Sequence, residues 1–401
     1  MTTPDPGTSS TVTTTRRASG PRRVVVLGAT GSIGKNTLAV IDHLNAASPG
    51  GAAFEVVGLA AGSGGAALAE AARPFPDARL ALADPDAAGV AYRGPAAAER
   101  LVREAGPDLV VAAIVGVAGL RPVLAAVEAG VDVALANKEV LVAAGELVVR
   151  RCSETGSRLL PVDSEHAAVL QCLAGHPRER VRRVVLTASG GPFRDRTAED
   201  VFNATPEEAV AHPNWDMGAK ISVDSATMMN KALELIEARH LFKLQPEQLG
   251  AVLHPQSVVH ALVEYEDGGV VAQLGAADMR GPIQAALTWP DRPAGCGDRL
   301  DLLSLGTLGF RRADPARFPA LGLAQRVMAA GGTAGAVLNA ANEAAVEAFL
   351  GRRIPFGRIV GLASEALDRL DPGPADSLDA VLASDAAARR FVAEAVRSSA
   401  P

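Results

Sequence analysis

Three scarcities in the sequence each exclude a class of protein. Aromatic residues make up only 3% of the 401 residues, which argues against a base-stacking surface, and the net charge of -6 argues against a nucleic-acid partner in general. No apolar run reaches the roughly 18 residues that a membrane span requires, so we expect no membrane partner. Cys152, Cys172 and Cys296 are widely spaced and form no C-x-x-C pair. We therefore expect no thiolate zinc site and a reducing, cytoplasmic location.

The length indicates two or three domains, each large enough to bury an apolar interior. Residues 1–21 are rich in Thr, Ser and Pro, and we predict a disordered tail there, with a cleaved targeting peptide as the alternative. We predict a nucleotide-binding domain over 22–163, a catalytic domain over 164–289, a proline-rich linker over 290–315 and a C-terminal helical bundle over 316–401.

Short apolar runs alternate with helix-like segments in the first of these domains. Val, Leu and Ala follow one another in the runs without period-two alternation, as is typical of strands that are covered on both faces. The pattern predicts an α/β fold with a parallel sheet and crossover helices. The predicted strands are Arg23–Leu27, Phe54–Ala60, Leu109–Ile114, Val131–Ala136 and Arg158–Val162.

The pattern changes after residue 163 to an α+β arrangement with a largely antiparallel sheet. Strands are predicted at Val181–Ala188 and Ser257–Tyr265, and the turn Glu266-Asp267-Gly268-Gly269 links the latter to Val270–Leu274 as a hairpin. Beyond the linker, helical periodicity predicts four amphipathic helices at Leu321–Ala330, Ala336–Leu350, Arg358–Leu370 and Ser384–Val396.

A glycine-rich segment follows the first strand, with Gly28, Gly31 and Gly34 between the strand and a helix. Glycines at this place allow a pyrophosphate to approach the backbone N–H groups of the helix N-terminus, as in Rossmann-like domains. The alternative is a glycine turn in an unrelated strand-helix unit. The loop after the second strand, Gly62, Ser63 and Gly64, carries no carboxylate for a ribose 2′-hydroxyl, which favours NADP over NAD.

Acidic residues follow the strand that ends near Val162. If the extended geometry persists, Asp163 and Glu165 point the same way, although Asp163 or Ser164 could simply cap the next helix. Glu234 could add a third carboxylate and complete a site for Mg²⁺ or Mn²⁺. The alternative for Glu234 is an exposed helical position.

Anion-binding side chains recur in two further segments. Ser189 ends a strand before a Gly-Gly-Pro turn, and Ser225 is predicted to begin a helix on which Asn230, Lys231 and Glu234 share a face. Together they could bind one phosphate; the alternative is that Ser225 only caps the helix and Lys231 is solvated. Asn137, Lys138 and Glu139 follow a strand at the ligand-binding edge of the sheet, where loop charges are also often merely solvated. His254 is expected to be a core histidine.

These motifs resemble the 1-deoxy-D-xylulose 5-phosphate reductoisomerases, the NADPH-dependent enzymes of the non-mevalonate isoprenoid pathway. The resemblance extends from residue 28 to about residue 350. It rests on the segments GATGSIG, ALANKEVLV, PVDSEHAAVLQCL, LTASGGPFR, HPNWDMGAKISVDSATMMNKALELIEA, HPQSVVHALVEY, AQLGAADMRGPIQ and LNAANEAAVEAFL.

The resemblance implies a role for each candidate residue and an expected homodimer. Asp163, Glu165 and Glu234 would hold one divalent metal, and Ser189, Ser225, Asn230 and Lys231 would bind the substrate phosphate. Lys138 and Ser164 would contact the substrate near the metal, His212 and Trp215 would belong to a flap, and His260 would line the site. The cofactor would contact Thr30, Gly31, Ser32, Ile33, Gly62, Ser63, Gly64, Asn137, Glu139, Met217, Gly218 and Met279.

The implied reaction converts 1-deoxy-D-xylulose 5-phosphate to 2-C-methyl-D-erythritol 4-phosphate, by retro-aldol and aldol steps followed by hydride reduction. Two positions depart from the family pattern: Val140 stands where Ser is frequent, and the 62–64 loop lacks a Lys or Asn. An NADP-dependent semialdehyde or sugar dehydrogenase without a metal, and a nucleotide-sensing protein without catalysis, are the alternatives. Neither would require three converging carboxylates.

Overall fold

A computed structural model describes residues 20–49, 51–215 and 217–398, so most of the predicted tail lies outside the described residues. A seven-stranded sheet forms the N-terminal part, and all of its strand pairs are parallel, in the order β4-β3-β2-β1-β5-β6-β7. The strands are β1 Arg22–Leu27, β2 Phe54–Ala61, β3 Arg79–Leu82, β4 Tyr92–Arg93, β5 Leu109–Ala112, β6 Asp132–Leu135 and β7 Leu159–Pro161.

Five helices connect these strands: α1 Ser32–Ala46, α2 Gly65–Ala72, α3 Ala97–Ala105, α4 Leu120–Glu128 and α5 Lys138–Thr155. The apolar residues of the central strands β1 and β5 are all buried, as the uninterrupted apolar runs predicted. Gly28 has a φ of 81°, and a side chain at Gly34 would collide with the Gly28 carbonyl, so the tight turn into α1 requires glycine at both positions. The predicted α/β fold is confirmed.

The central part holds a five-stranded mixed sheet in the order β11-β10-β8-β9-β12. Three of its four strand pairs are antiparallel, and the predicted β10-β11 hairpin is present. Its elements are α6 Ser164–Leu173, β8 Val181–Ala188, α7 Ala198–Val201, α8 Pro206–Val210, α9 Ala219–Ala226, α10 Met229–Phe242, β9 Leu249–Leu253, β10 Val259–Tyr265, β11 Val270–Leu274, α11 Arg280–Thr288, α12 Leu302–Leu305 and β12 Arg311–Arg312.

Four helices complete the fold: α13 Ala320–Ala330, α14 Ala334–Leu350, α15 Arg358–Arg369 and α16 Leu378–Ser398. They match the four predicted helices, except that α16 begins six residues earlier than the predicted Ser384. No helix of the described ranges is both long and apolar enough to cross a membrane.

The predicted domain boundaries stay a prediction, and several contacts cross them. Helix α11 lies before the predicted end of the catalytic domain, but its Ile283, Ala286 and Leu287 are buried in the core of the nucleotide sheet. Strand β12 lies within the predicted linker and pairs with β9. The core of the central sheet is also continuous with the helical bundle, since α10 packs against α13 and α5. The site between the sheets is therefore held by all three parts.

Candidate active site

A cleft lies between the carboxyl ends of the nucleotide-sheet strands and the helices α9 and α10. Most of the predicted site residues line it, so the fold brings together side chains that are up to 247 positions apart along the chain. These residues are Ser32, Ile33, Lys138, Asp163, Ser164, Glu165, Ser189, His212, Trp215, Met217, Gly218, Ser225, Asn230, Lys231, Glu234, His260 and Met279.

Three carboxylates converge at the bottom of the cleft. Asp163 follows β7, Glu165 lies in the first turn of α6, and Glu234 reaches the same point from α10. One oxygen of each lies within 4.8 Å of the others. The alternative of an exposed Glu234 is wrong, because its side chain is only 1% exposed.

Two ammonium groups neutralise most of this negative charge. The Lys138 Nζ lies 2.5 Å from the Asp163 Oδ2 and 2.9 Å from the Glu234 Oε1. The Lys231 Nζ lies 2.7 Å from the Glu165 Oε1 and also contacts Glu234. Lys231 is 3% exposed, so the alternative of a solvated lysine is wrong as well. The cluster carries three carboxylates and two ammonium groups.

Burial and pairing act in opposite directions on the protonation of this cluster. Burial alone would lower the pKa of Lys138 and Lys231, but the adjacent carboxylates outweigh it and raise both pKa values. Burial would likewise raise the pKa of Asp163, but the charge of Lys138 holds that pKa below its usual range. For Glu234, burial and the neighbouring Glu165 prevail and raise the pKa. The lysines are therefore charged at neutral pH.

Asp163 and Glu165 meet for a reason that differs from the predicted one. Extended geometry does not persist beyond β7: Asp163 is the N-cap of α6, and its Oδ1 accepts a hydrogen bond of 2.9 Å from the Ser164 N–H. Glu165 turns toward the same point because it lies in the first helical turn. The capping interpretation and the carboxylate cluster thus both hold for Asp163.

The position of Ser225 also corrects the prediction, since this residue does not begin a helix. It lies one residue before the end of α9, and Met228 then adopts a φ of 62° that separates α9 from α10. Asn230 and Lys231 occupy the first turn of α10, where backbone N–H groups are free of helical partners. The two helices therefore meet at the cleft with Ser225 on one side and Asn230 on the other.

Ser189 and His212 form a hydrogen-bonded pair at the mouth of the cleft. The His212 Nδ1 accepts hydrogen bonds from the backbone N–H groups of Asn214 and Trp215, at 3.2 and 3.0 Å. Its Nε2 must then carry the proton, which it donates to the Ser189 Oγ at 2.9 Å. The Gly191 N–H donates to the same oxygen at 3.1 Å, so the Ser189 hydroxyl proton is left to bind a ligand. Burial lowers the pKa of His212, which favours this neutral form.

Two stretches, His212–Trp215 and Met217–Gly218, are here together called the flap, and they line the cleft. The Asn214 side chain ties the flap to the Pro255 carbonyl at 2.7 Å and to the Ser257 Oγ at 2.9 Å. Met217 and Gly218 line the cleft, as does Met279. His260, on β10, lines the same wall, and its pKa is lowered by burial. Asp216 lies outside the described residues.

The predicted nucleotide loop leads into this cleft. Gly31 is the N-cap of α1, and Ser32 and Ile33 in its first turn line the opening, with Thr30 just before them. Gly62, Ser63 and Gly64 are exposed at the end of the neighbouring β2. Thr30, Gly31 and residues 62–64 do not line the cleft itself, so their predicted cofactor contacts stay a prediction.

Asn137 and Glu139 lie behind Lys138 rather than in the cleft wall. The Asn137 side chain caps α5 by accepting from the Val140 N–H, and it donates to the Gly116 carbonyl at 2.9 Å. Glu139 is buried in an ion pair with Lys220 at 2.7 Å. Their predicted cofactor contacts stay a prediction. His254 is fully buried, stacks on Phe310 and is a core histidine as expected.

Sequence reasoning missed two buried residues behind the carboxylates. The His166 Nε2 hydrogen-bonds to the Glu234 carbonyl at 2.9 Å, and its Nδ1 lies 3.4 Å from the Glu237 Oε2. A signal for both residues was available in the sequence. His166 follows Asp163 by three residues and Glu237 follows Glu234 by three, a spacing that places each pair on one side of a helix. Burial raises the pKa of Glu237 to about 7.

The donor set of the three carboxylates fits a hard divalent cation. Their oxygens span a distance that one Mg²⁺ or Mn²⁺ with oxygen ligands at about 2.0–2.2 Å could bridge after small side-chain movements. A second group, Asp163, His166 and Glu237, also converges, but its last two members do not line the cleft. Only the first group is open to a ligand.

Three family models match successive parts of the chain. Residues 24–145 match 1-deoxy-D-xylulose 5-phosphate reductoisomerase, residues 159–242 match the C-terminal domain of that enzyme, and residues 274–391 match the DXP reductoisomerase C-terminal domain.

Relatives match over nearly the whole chain. The 1-deoxy-D-xylulose 5-phosphate reductoisomerase of Symbiobacterium thermophilum is 51% identical over 91% of this chain and 96% of its own length. That of Rhodospirillum centenum is 50% identical over 94% and 95%.

Solved structures agree with these relatives. The Zymomonas mobilis enzyme in complex with NADPH superimposes with a TM-score of 0.87 at 44% identity, over 94% of this chain and all of that one. A DOX-P reductoisomerase in complex with NADPH, fosmidomycin and magnesium gives a TM-score of 0.88 at 39% identity, over 94% and 98%.

Proposed function

The chain belongs to the 1-deoxy-D-xylulose 5-phosphate reductoisomerase family, and we propose that its cleft carries out the reaction of that family. The enzyme converts 1-deoxy-D-xylulose 5-phosphate to 2-C-methyl-D-erythritol 4-phosphate, with NADPH as reductant and one divalent cation. The observation that carries the proposal is the convergence of three carboxylates beside two lysines and two serines in one cleft. Neither a metal-free dehydrogenase nor a nucleotide sensor has a use for it.

The substrate phosphate would bind at the junction of α9 and α10. Ser189 offers a hydroxyl proton because its oxygen already accepts two hydrogen bonds. Ser225, Asn230 and Lys231 add a hydroxyl, an amide and an ammonium donor from the two helices. Binding so far from the reacting carbons would orient the substrate and favour closure of the flap.

Asp163, Glu165 and Glu234 would hold the cation, which supplies Lewis-acid stabilisation of oxygens that gain negative charge in the rearrangement. The buried Lys138 ammonium group donates to Asp163, Glu234 and the Asn230 Oδ1, so it would contact a substrate oxygen once a bound cation draws the carboxylates away from it. Ser164, next to Glu165, lines the same wall. These residues orient the substrate and exclude water from it.

NADPH would bind along the ends of β1 and β2, with its nicotinamide between Met217 and Met279. Both methionines line the same cleft as the carboxylate cluster, together with Ser32 and Ile33, which supports this arrangement. The 62–64 loop carries no carboxylate that would repel a 2′-phosphate. Trp215 and His212 would close over the bound substrate.

NADPH oxidation with 1-deoxy-D-xylulose 5-phosphate tests the function directly. We expect a loss of NADPH absorbance that stops when EDTA is added and returns with Mg²⁺ or Mn²⁺, and we expect fosmidomycin to inhibit it. Oxidation that EDTA leaves unchanged would exclude the metal site. An absence of any oxidation with this substrate would exclude the function.

We also propose that the chain forms a homodimer in a reducing compartment. The outer edge of β11 has no neighbouring strand among the described residues, and Val270 on it is 56% exposed, so the edge could pair with a second copy. The three cysteines are free. Light scattering tests the dimer; a monomer at micromolar concentration would refute it.

A further inference from the structure

A polar network, buried except for the partly exposed Lys220, lies at the base of the flap, and of its members only Glu139 has a role predicted above, as a cofactor contact. Lys220 follows the flap in the first turn of α9, and its Nζ lies 2.7 Å from the Glu139 Oε1 and 2.9 Å from the Asp224 Oδ2. Burial alone would lower the pKa of Lys220, but these two carboxylates reverse the effect and raise it. The ammonium group is therefore charged and shared by two different helices.

The helical bundle joins the network through Asn342 of α14. Its Nδ2 donates a hydrogen bond of 2.8 Å to the Asp224 Oδ1, and both residues are buried. The next residue, Glu343, pairs with Arg389 of α16. A single polar group, Asp224, is thus bound on one oxygen by the lysine that follows the flap and on the other by the bundle. We call Lys220, Glu139, Asp224 and Asn342 the flap clamp.

Each end of the flap clamp adjoins a residue of the cleft. Glu139 follows Lys138, the first residue of α5, whose ammonium group pairs with Asp163 and Glu234. Lys220 lies two residues after Gly218, and Ile221 and Ser225 of the same helix line the cleft. A change in the distance between α5 and α9 would therefore move Lys138 and the base of the flap relative to each other.

We infer that Lys220 is a positioning residue, which fixes the base of the flap against the Lys138 end of α5 so that flap closure aligns Lys138 with the carboxylate cluster. This inference rests on the proposed function. Without the ammonium group, Glu139 and Asp224 face each other as two buried carboxylates and repel. Because Lys220 is absent from the cleft wall, its loss affects the aligned geometry more than substrate binding.

Two substitutions at Lys220 test the inference in the full-length protein. Lys220→Met removes the charge, and we expect kcat to fall at least about thirtyfold while KM for the substrate changes less than about threefold. Lys220→Arg keeps the charge and should restore kcat to within about fivefold of the wild type. Asn342→Leu breaks only the bundle link and should lower kcat less than Lys220→Met does. Glu347→Gln, on the exposed face of α14, is the control and should leave kcat unchanged.

Tryptophan fluorescence gives a readout that a merely stabilising ion pair would not alter. The chain has two tryptophans, so a Trp289→Phe background leaves Trp215 of the flap as the only reporter. Addition of NADPH and fosmidomycin should change the emission of Trp215 in the Lys220→Arg protein and change it much less in the Lys220→Met protein. The comparison is made at temperatures at which circular dichroism shows that both proteins are folded. Wild-type kcat or a full emission change in Lys220→Met would overturn the inference. An inactive wild type would instead overturn the proposed function.

Discussion

Replacing Glu234 by glutamine removes one negative charge from the carboxylate cluster and almost no volume. Lys138 keeps Asp163 at 2.5 Å and Lys231 keeps Glu165 at 2.7 Å, so neither ammonium group is left without a partner. We therefore expect the fold to survive. Loss of one charge at about 4 Å from a divalent cation, at an effective dielectric constant of about 20, weakens the attraction by about 8 kcal/mol. Even half of that energy corresponds to a loss of about a thousandfold in kcat/KM.

The assay is NADPH oxidation across a magnesium titration, and Glu237→Gln is the matched control. Glu237 is equally buried and lies one turn along the same helix, but it does not line the cleft. Burial raises the pKa of Glu237 to about 7, so this carboxyl is often protonated and neutral. A glutamine amide resembles the neutral form, and we therefore expect kcat/KM of Glu237→Gln to fall less than about tenfold. A Glu234→Gln enzyme within about tenfold of the wild type at every magnesium concentration would refute the metal assignment. Equal losses of kcat/KM in both variants would mean that a disturbance of α10, and not the loss of a metal-binding charge, lowers the activity.

Three further predictions concern pH and packing. Protonation of His212 would turn its Nδ1 from an acceptor into a donor that faces two N–H groups. Because burial lowers the pKa of His212, kcat/KM should stay level down to about pH 6.5 and fall below that pH. The His212→Gln variant should lack this fall. Burial lowers the pKa of His240 from 6.5 to about 4, so the unfolded chain binds the proton first and stability is lost as pH falls between these values. Chemical denaturation should show a decrease of about 3 kcal/mol that His240→Gln lacks. Gly335→Ala would place a methyl group 1.8 Å from the Val142 carbonyl oxygen, and it should destabilise the folded protein by about 1–3 kcal/mol. Gly322→Ala, in helix α13, would place its methyl group within 4 Å of no atom apart from its chain neighbours and its own helix backbone, and thermal unfolding should show that it stabilises the protein by up to about 1 kcal/mol.

Apolar patterning predicted the strands that carry the nucleotide sheet, because those strands are buried on both faces and read as continuous Val, Leu and Ala. It missed β3, β4, β9 and β12. Strands β4 and β12 have two residues each, and β3 and β9 are buried over only part of their length, unlike β5. Their extended form depends on the neighbouring strand that supplies their hydrogen bonds. A single sequence does not contain that information.

Helical spacing placed Asn230, Lys231 and Glu234 on one face, and the structure brings all three into the cleft. It could not place Ser225, because the break at Met228 has no signal in the residue type. Methionine rarely adopts a positive φ, and this one is held by packing, since Met228 is only 2% exposed. The predicted continuous helix thus became two helices with the anion-binding residues at their junction.

The choice of partners within the charged cluster also lay beyond the sequence. Residue chemistry and the family resemblance assigned the metal and the phosphate to separate sets of residues, yet Lys231 of the phosphate set pairs with Glu165 and Glu234 of the metal set. Charges so close together select partners by distance and burial, which only the fold determines. Phosphate and cation must therefore compete with this ion pair: a cation that binds the carboxylates weakens their hold on Lys231, and a phosphate that binds Lys231 frees the carboxylates. The two ligands should consequently bind with positive cooperativity.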